Sequence, residues 1–462
     1  MASIDELVTR LAHMLPFGER LAKLQNRLAS FAEQGIQGVA NVIVNVILAR
    51  NLSHEGFASI GTMIGIHFFV LGMHRTAIVL PFILDSTGDE AAERAAEGRW
   101  WWLNLLSLGV IAAALAGGSL LAKALLTSPS ALWFVQGLAH TVIVTPALLF
   151  FEFGRRVLYQ RHLPLTAFVA SLVYMLLLLG TAYMVTRTST SAAIASLSWV
   201  VAGVGGGIVA TIAAHPGRPR VGEGVAIWWS NRSFAFWQAL TNLPYAVYNS
   251  SVVVAVGIFG GATAAAAYTA ARTLTNPAMS MVTAVDSLDK PRAARALAKD
   301  GLAGLRHSVG RTRRLLILIT GGYLGLLAIF AGPILRFAFS NAYDHAVAEI
   351  RVLALAFFLM CLNQPSETFL IVLRESKILL LTRIVAAGVA LFSLWIASPF
   401  GLMGACVALL ATHVINLADL RIAETISGRR WLKSTPRDRE QAEDAPLAEA
   451  AAPAPDLERA GR

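Results

Sequence analysis

The segment from Asn41 to Leu84 decides the fold of this chain. It reads NVIVNVILARNLSHEGFASIGTMIGIHFFVLGMHRTAIVLPFIL. Two long apolar runs flank a short polar hinge at Arg50 to Glu55, which is the pattern of a membrane-spanning helical hairpin. Hydrocarbon disfavours several side chains that interrupt the apolar face, namely Asn41, Asn45, His67, His74 and Arg75. Such groups at membrane depth usually mark a solvated lumen, so the sequence predicts a pathway through the protein.

The composition is that of a membrane protein. Hydrophobic residues make up 56% of the 462 residues and charged residues 14%, and the mean hydropathy is +0.61. Soluble domains average about 25% charged residues, so a string of soluble domains is excluded. The two cysteines, Cys361 and Cys406, lie in apolar runs, which predicts neither a disulfide framework nor a zinc site. The sequence contains no P-loop, hydrolase or metalloprotease motif, so we expect no enzyme activity, no cofactor and no metal site.

The chain holds about twelve windows that are long and apolar enough to span a bilayer, since a span needs about 20 such residues. The predicted boundaries are 27–49, 56–84, 101–125, 131–153, 164–186, 190–213, 233–257, 261–286, 314–336, 346–373, 378–397 and 400–422. Most of the 38 Lys and Arg residues lie before span 1 or after an even-numbered span, which includes the segment after span 12. The positive-inside rule then places both termini in the cytoplasm. This placement also accounts for the net charge of +10 without a nucleic-acid partner.

The expected fold class is an all-α polytopic membrane protein with about 12 transmembrane helices in two six-helix lobes and a central cavity. Residues 1–26 are predicted to form an amphipathic cytoplasmic segment, interrupted at Pro16, and residues 27–213 the first lobe. Residues 214–232 are predicted to be a cytoplasmic linker, and residues 233–425 the second lobe. Residues 426–462 contain much Ala, Pro and Glu, which predicts a disordered cytoplasmic tail.

Polar stripes on the first helix of each predicted lobe suggest a shared cavity at the midplane. The stripe on span 1 consists of Gln34, Gln37, Asn41 and Asn45. The stripe on span 7 consists of Gln238, Asn242, Tyr245 and Asn249. In each set the spacing places the four side chains on one helical face. Amide stripes can instead hydrogen-bond neighbouring helices to each other, and both interpretations remain open.

Two arginines are the main candidates for binding an anionic group. Arg75 and Arg272 lie within predicted spans 2 and 8, the equivalent helices of the two lobes. A guanidinium forks onto phosphate or carboxylate oxygens, so two of them facing one lumen would form a clamp for an anion. The structural alternatives are an ion pair between Arg272 and Glu367, or extension of either side chain to the membrane interface. Glu152 is expected to pair with Arg155 and Arg156 near the end of span 4.

Five further residues are candidates for coupling or gating. His67 and His74 are seven residues apart on one helical face and can titrate near neutral pH, although a packing role is also common for such histidines. Asn363, Glu367 and Arg374 are predicted to lie on one face of span 10. Glu367 is interpreted as a proton or cation site, as a gate partner of an arginine in the lumen, or as a structural partner of Arg374.

The segment Leu48 to Phe57, LARNLSHEGF, resembles the first-hairpin signature of Wzx-type lipid-linked oligosaccharide flippases. These belong to the multidrug/oligosaccharidyl-lipid/polysaccharide (MOP) superfamily. The residues that fit the signature are Leu48, Ala49, Arg50, Leu52, Glu55 and Phe57, whereas Ser53, His54 and Ala58 replace the usual Gly, Pro and Gly. The segment Tyr268 to Arg272, YTAAR, is similar to the family's Tyr-x-Ala-Ala-Arg segment.

The resemblance implies a MATE-like, V-shaped pair of helix bundles whose cavity opens alternately to each side of the bacterial inner membrane. It implies transport of undecaprenyl-pyrophosphate-linked repeat units for O-antigen or exopolysaccharide biosynthesis. Membrane lipids, and the polysaccharide polymerase machinery as a potential partner, would surround such a protein.

Other functions remain open. A cation-coupled multidrug exporter of the same superfamily generally carries acidic residues in the first-lobe cavity, where this chain offers arginine and histidine. A lipid II flippase typically has two further C-terminal helices. A membrane scaffold for the polysaccharide machinery would not depend on Arg75 or Arg272.

Overall fold

The computed structural model describes residues 18–84, 90–161, 163–217, 221–250 and 252–433, and within these ranges every regular element is helical. Side chains are described from residue 32 to residue 433 except at 84–95, 162, 218–221, 251 and a few positions within helices, one of which is Gln238. The predicted break at Pro16 and most of the predicted C-terminal tail, from residue 434, lie outside the described residues.

The first six helices correspond to the first predicted lobe. They are α1 Gly18–Asn51, α2 His54–His74, α3 Glu90–Leu125, α4 Leu132–Gln160, α5 Pro164–Thr188 and α6 Ala192–Ala214. The hinge between α1 and α2 is short because Ser53 caps α2, accepting a hydrogen bond from the backbone N–H of Gly56 at 3.1 Å. After His74 the helix continues through a π-helical turn, Arg75–Val79, into Leu80–Leu84.

The remaining helices begin within the predicted linker. They are α7 Val221–Ser230, α8 Arg232–Ser250, α9 Val252–Ile329, α10 Ala331–Phe339, α11 Val347–Val372, α12 Ser376–Ala397 and α13 Gly401–Lys433. The 78-residue α9 changes direction at Gly261 and Gly301, whose φ values of 74° and 61° favour glycine. It therefore contains two predicted spans and the helical connection between them. The predicted linker contains α7, and α13 extends beyond the predicted lobe end at residue 425.

Nine stretches of the described helices are long and apolar enough to cross a membrane. Two of them, Ala235–Asp286 with 52 residues and Ser376–Lys433 with 58 residues, are longer than one crossing requires. Each contains a backbone reversal, at Gly261 and at Gly401, so each holds two of the predicted spans. The more polar α1 is not among the nine. The prediction of an all-α polytopic membrane fold is confirmed.

The helices pack in two groups, which we call the first half (α1 to α6) and the second half (α8 to α13). Within the first half, α4 packs on α2, α3 and α6, while α5 packs on α1 and α6. Within the second half, α11 packs on α9 and α13, and α12 packs on α8 and α13. Between the halves, α1 and α2 contact α9, and α2 with its π-helical turn contacts α8. The boundary between the halves therefore follows α2.

A continuous apolar core extends through both halves. Leu48, Phe57, Phe153, Tyr268 and Phe357 are at most 2% exposed and belong to one cluster. The outer surface is also apolar, with exposed side chains such as Leu318, Phe337 and Phe400. A surface of this kind is stable against lipid tails, and helices satisfy their backbone hydrogen bonds internally, as a bilayer requires.

Candidate functional site

Three glycines on one face of α2 bring the two halves into close contact, and we call them the glycine seam: Gly61, Gly65 and Gly72. A Cβ atom at Gly61 would lie 2.0 Å from Thr269 Oγ1 on α9. A Cβ at Gly65 would lie 2.8 Å from the carbonyl oxygen of Ser250 on α8, and one at Gly72 would lie 2.5 Å from an amide nitrogen of α8. Small residues at such spacing let helix backbones approach closely.

A cleft lies beside the glycine seam between α1, α2, α8 and α9. It is partly open, and its cavity volume is about 30 Å³. Its polar lining consists of Asn45, Ser250, Tyr268, Thr269, Arg272, Thr273 and Asn276, and its apolar lining includes Ile64, Phe68 and Val253. Amides, hydroxyls and one guanidinium thus surround a space that both halves enclose.

Arg272 supplies the positive charge of the cleft. Its Nη1 donates to the backbone carbonyl of Asn249 and, at 3.3 Å, to Tyr268 Oη, while Nη2 donates to Asn249 Oδ1 at 3.2 Å. Its guanidinium carbon lies 5.5 Å from the ring centroid of Phe357. Among the described residues no carboxylate lies within salt-bridge distance of Arg272, and Glu367 pairs elsewhere. All of its partners are neutral, so the charge is available to an anion in the cleft.

The depth of Arg272 follows from helix geometry. Gly261 lies at the same end of the bundle as the α1–α2 hinge, because Gly257 packs on Trp133 at the start of α4 and Gly137 of α4 packs on Ser59 of α2. At 1.5 Å per residue, Arg272 lies about 16 Å along α9 from Gly261. That is about half of a 30 Å hydrocarbon core.

Arg75 does not join Arg272 in the cleft. It lies in the π-helical turn, about 32 Å along the helix from the start of α2. Its Nε and Nη2 donate to Glu152 Oε1 at 3.0 and 2.7 Å. The structure therefore does not bring Arg75 and Arg272 together in this cleft, since they lie about 15 Å apart along the helix direction.

Glu152 belongs to a larger ionic network that joins α1, α2, α4 and α5. Besides Arg75 it accepts hydrogen bonds from Arg156 Nε at 3.0 Å and Arg155 Nη2 at 2.6 Å. Arg155 also donates to Glu33, whose side chain is 1% exposed. Glu33 further accepts from Tyr159 Oη at 2.8 Å and Ser171 Oγ at 2.7 Å. Both carboxylates are neutralised by guanidiniums.

The polar stripe of α1 divides between two environments. Gln37 donates to Glu33 and, at 3.1 Å, to Ser171 Oγ, so it contacts α5 rather than the cleft. Asn45 lines the cleft; its Nδ2 donates to the backbone oxygen of Asn41 at 2.7 Å, and its buried Oδ1 has no partner among the described residues. The Oε1 atom of Gln34 is likewise buried without a described partner.

The stripe of α8 faces three neighbours. Asn242 packs against Gly72 of the glycine seam, and Asn249 holds Arg272. Tyr245 lies under the guanidinium of Arg383 on α12, 5.5 Å from ring centroid to guanidinium carbon. The side chain of Gln238 lies outside the described residues. The stripe therefore connects α8 to α2, α9 and α12.

The two histidines of α2 are both buried. His74 Nε2 lies 2.8 Å from Asn104 Oδ1 on α3, which places it inside the first half. His67 is 8% exposed, and its ring centroid lies 5.6 Å from that of Phe68. Neither histidine lines the cleft.

The gating candidates of span 10 separate in the structure. Glu367 accepts a hydrogen bond from Arg383 Nη2 at 2.8 Å, and Arg383 Nη1 reaches the backbone oxygen of Thr241 on α8 at 3.4 Å. Asn363 is 3% exposed on the same helix. Arg374 follows the end of α11 with a φ of 59° and is exposed. It therefore does not share a helical face with Glu367, because the helix ends at Val372.

Sequence reasoning missed the glycine seam, Glu33 and Arg383. The spacing of Gly61 and Gly65 is the small-xxx-small pattern of close helix contacts, and it would have identified the seam. Arg383 is a cation within an apolar run, the signal that selected Arg75 and Arg272. Apart from Gln37, which is four residues away, the partners of Glu33 lie more than 100 residues away along the chain.

No known family model and no curated protein matches the chain. The fold, however, is similar to solved structures. An inward-facing multidrug resistance MATE family transporter of the MOP superfamily superposes with a TM-score of 0.70 at 10% identity, covering 88% of this chain and 99% of that chain. An outward-facing multidrug resistance MATE family transporter gives 0.61 at 12% identity, with coverages of 89% and 96%.

A third similar structure is a MOP superfamily transporter from Pyrococcus furiosus, described with the words "Reverse polarity of binding pocket suggests different function". It gives a TM-score of 0.61 at 14% identity, covering 89% of this chain and 96% of that chain. At these identities the likeness concerns the fold alone. The chain is a multi-pass membrane protein with the helical fold of MOP superfamily transporters.

Proposed function

We propose that this protein transports lipid-linked oligosaccharides across the bacterial inner membrane by alternating access between its two halves, with both termini in the cytoplasm. The observation that carries the proposal is Arg272: a guanidinium at mid-depth, in a cleft enclosed by both halves, with only neutral partners among the described residues. A charge at this depth is costly, and such residues usually mark a substrate or ion pathway.

The cleft suits a phosphorylated sugar. Its amides and hydroxyls can donate to and accept from glycan hydroxyl groups. The Arg272 guanidinium can fork onto the oxygens of a pyrophosphate or a uronate. The prenyl chain of such a cargo would remain in the surrounding lipid, against the exposed apolar surface of the helices. Membrane lipids and, as a proposed partner, the polysaccharide polymerase machinery would complete the assembly.

The first-half carboxylates weigh against cation coupling there. Glu33 and Glu152 are each bonded to at least one guanidinium, so neither is free to hold a cation or a cationic drug. The P. furiosus transporter, described as having a binding pocket of reverse polarity, gives a precedent for this fold with altered pocket charge.

A cation-coupled multidrug exporter is the second candidate. The likeness to MATE family multidrug transporters and the apolar cleft residues Ile64, Phe68 and Val253 favour it. Drug exporters generally use apolar and aromatic surface to bind their substrates.

Deletion of the gene tests both functions. The flippase proposal expects lipid-linked repeat units to accumulate on the cytoplasmic face and surface glycan to be lost, with unchanged drug susceptibility. In complementation, Arg272→Gln should lower export about tenfold or more, since it removes a charge-assisted contact. Arg187→Gln, at an exposed arginine in the last turn of α5, is the matched control and should complement fully. Normal glycan export together with drug hypersensitivity would replace the first proposal by the second.

A further inference from the structure

Arg75 and Arg156 share a single carboxylate oxygen. Glu152 Oε1 accepts hydrogen bonds from Nη2 and Nε of Arg75 at 2.7 and 3.0 Å and from Nε of Arg156 at 3.0 Å. The other carboxylate oxygen, Oε2, accepts a hydrogen bond from Arg155 Nη2 at 2.6 Å. Arg75 Nη1 and both terminal nitrogens of Arg156 make no protein hydrogen bond within the described part of the chain. The side chains of Arg75 and Arg156 are 43% and 34% exposed, so these nitrogens have access to solvent. These nitrogens therefore face outward from the network.

The network carries more positive than negative charge. It contains three guanidiniums, of Arg75, Arg155 and Arg156, and two carboxylates, of Glu33 and Glu152, which leaves a formal surplus of one positive charge. The surplus is not distributed evenly. Arg155 is 7% exposed and is bonded to both carboxylates, whereas the side chains of Arg75 and Arg156 are 43% and 34% exposed. The excess charge thus lies on the two outward-facing guanidiniums.

The buried carboxylate fixes this pair in position. Glu152 has a side chain only 10% exposed, and it accepts a hydrogen bond from each guanidinium. Guanidiniums held in this way lose little conformational freedom when an anion binds, which favours binding. Arg75 also belongs to the π-helical turn, which contacts α8 of the second half. The site therefore lies at the boundary between the halves, at the end of the bundle far from the α1–α2 hinge.

We propose that Arg75 and Arg156 form a second anion site, which takes the phosphate or pyrophosphate group of the cargo before that group reaches Arg272. The assignment of this group as cargo rests on the proposed function. The two sites lie about 15 Å apart in depth by helix geometry, one near the membrane boundary and one near its middle. The positive-inside rule places the boundary site on the cytoplasmic side, where lipid-linked sugars are assembled.

Titration calorimetry tests this site. It measures the binding of inorganic pyrophosphate to the purified full-length protein at low ionic strength. Wild type should bind at two sites. Arg75→Gln and Arg156→Gln should each weaken one site about tenfold, the loss of one charge-assisted contact, and Arg272→Gln should weaken the other. Each of the first two substitutions leaves two guanidiniums for two carboxylates, so the melting temperature should stay close to that of wild type. Arg187→Gln is the matched control and should retain both sites.

Farnesyl pyrophosphate, compared with farnesol, distinguishes the source of the group. If farnesyl pyrophosphate displaces inorganic pyrophosphate from the Arg75/Arg156 site and farnesol does not, the bound group is carried by a lipid. If free phosphate alone displaces it, the bound group belongs to a soluble molecule. The proposal is overturned if Arg75→Gln and Arg156→Gln both bind pyrophosphate as wild type does, or if they lose binding only together with a large fall in melting temperature. Normal glycan export by Arg272→Gln would instead refute the proposed function and leave this site standing.

Discussion

Arg50 of the first half donates from Nε to the backbone oxygen of Ala338 in the second half at 2.6 Å. The same guanidinium donates to the carbonyl of Phe337, so it satisfies two carbonyls in the last turn of α10. A cation at a helix C-terminus is favourable because those carbonyls lack partners and carry the negative end of the helix dipole. Tyr343 adds to this contact, with its ring 5.4 Å from His54 and 6.2 Å from Phe57. The halves are thus joined at the hinge end of the bundle.

Substitution of Arg50 should loosen this junction. Arg50→Gln removes a charged donor from two carbonyls, at a cost of about 1.5–3 kcal/mol for each such bond. Spin labels at the exposed positions 51 and 336 should then report a broader, longer distance distribution than in wild type. The two native cysteines are buried and should not take up label. An unchanged distribution would show that Arg50 does not hold this end closed.

The glycine seam should tolerate no added side chain. Gly61→Ala places a Cβ 2.0 Å from Thr269 Oγ1, so α2 and α9 must move apart, and transport should fall severalfold. Adding Thr269→Ala removes that hydroxyl and should restore part of the activity. Gly180→Ala on α5, where a Cβ meets nothing within 4 Å, is the control and should behave as wild type. Full activity of Gly61→Ala alone would contradict the close contact.

The Glu367–Arg383 pair should stabilise the second half. The two side chains are 11% and 16% exposed, so Glu367→Gln leaves a guanidinium poorly solvated and should cost about 1–3 kcal/mol. The double variant Glu367→Gln, Arg383→Gln should lose less than the sum of the single losses. Arg336→Gln, which breaks the exposed pair with Asp344, is the comparison and should barely change the melting temperature. Additive losses would show that the pair is not coupled.

Asp289 should make stability depend on pH. It lies in α9 between two candidate spans and is 2% exposed. Burial raises the pKa of its carboxyl, an effect that the nearby Asp286 carboxylate reinforces and the hydrogen bond from Thr312 opposes. The folded state therefore holds a proton that the unfolded state has released, so the free energy of unfolding falls as pH rises from the ordinary value of 3.8 through the raised pKa.

Asp289→Asn should remove that dependence and raise the melting temperature at neutral pH. Thermal unfolding followed by intrinsic fluorescence across this pH range measures both effects. Asp300→Asn, at an exposed position on the same helix, is the control. A lower melting temperature for Asp289→Asn at neutral pH would mean that the ionised carboxylate has a stabilising partner.

The helical architecture could be predicted because apolar length alone identifies a membrane span. The hinge at Leu52 and Ser53 and the reversal at Gly401 both lie where apolar runs end. Two spans merged into α9 because the helix continues from Asp286 through the charged segment that precedes the predicted span at 314–336, a segment that hydropathy assigns to a loop. Helix propensity and packing on α11 and α13 make that segment helical, and neither can be read from a hydropathy profile.

The ion pairs could be predicted only where they are local. The bonds from Arg155 and Arg156 to Glu152 follow from spacings of three and four residues along one helix. The bonds from Arg75 to Glu152 and from Arg383 to Glu367 depend on which helices become neighbours. Sequence spacing does not contain that information, so the sequence alone places Arg75 in the cavity and leaves open whether Glu367 pairs with Arg374. The depth of each arginine could have been counted from the hinge once the helix boundaries were fixed.

The three glycines of α2 also bear on how readily the halves can separate. Where Gly61, Gly65 and Gly72 meet Thr269, Ser250 and Asn242, hydroxyl, carbonyl and amide groups lie in the contact beside the methyl groups of Thr269 and Val253. Water can replace such contacts with hydrogen bonds of similar strength. Parting the glycine seam would therefore expose polar groups together with apolar ones, and hydration of the polar groups would offset part of the cost of opening.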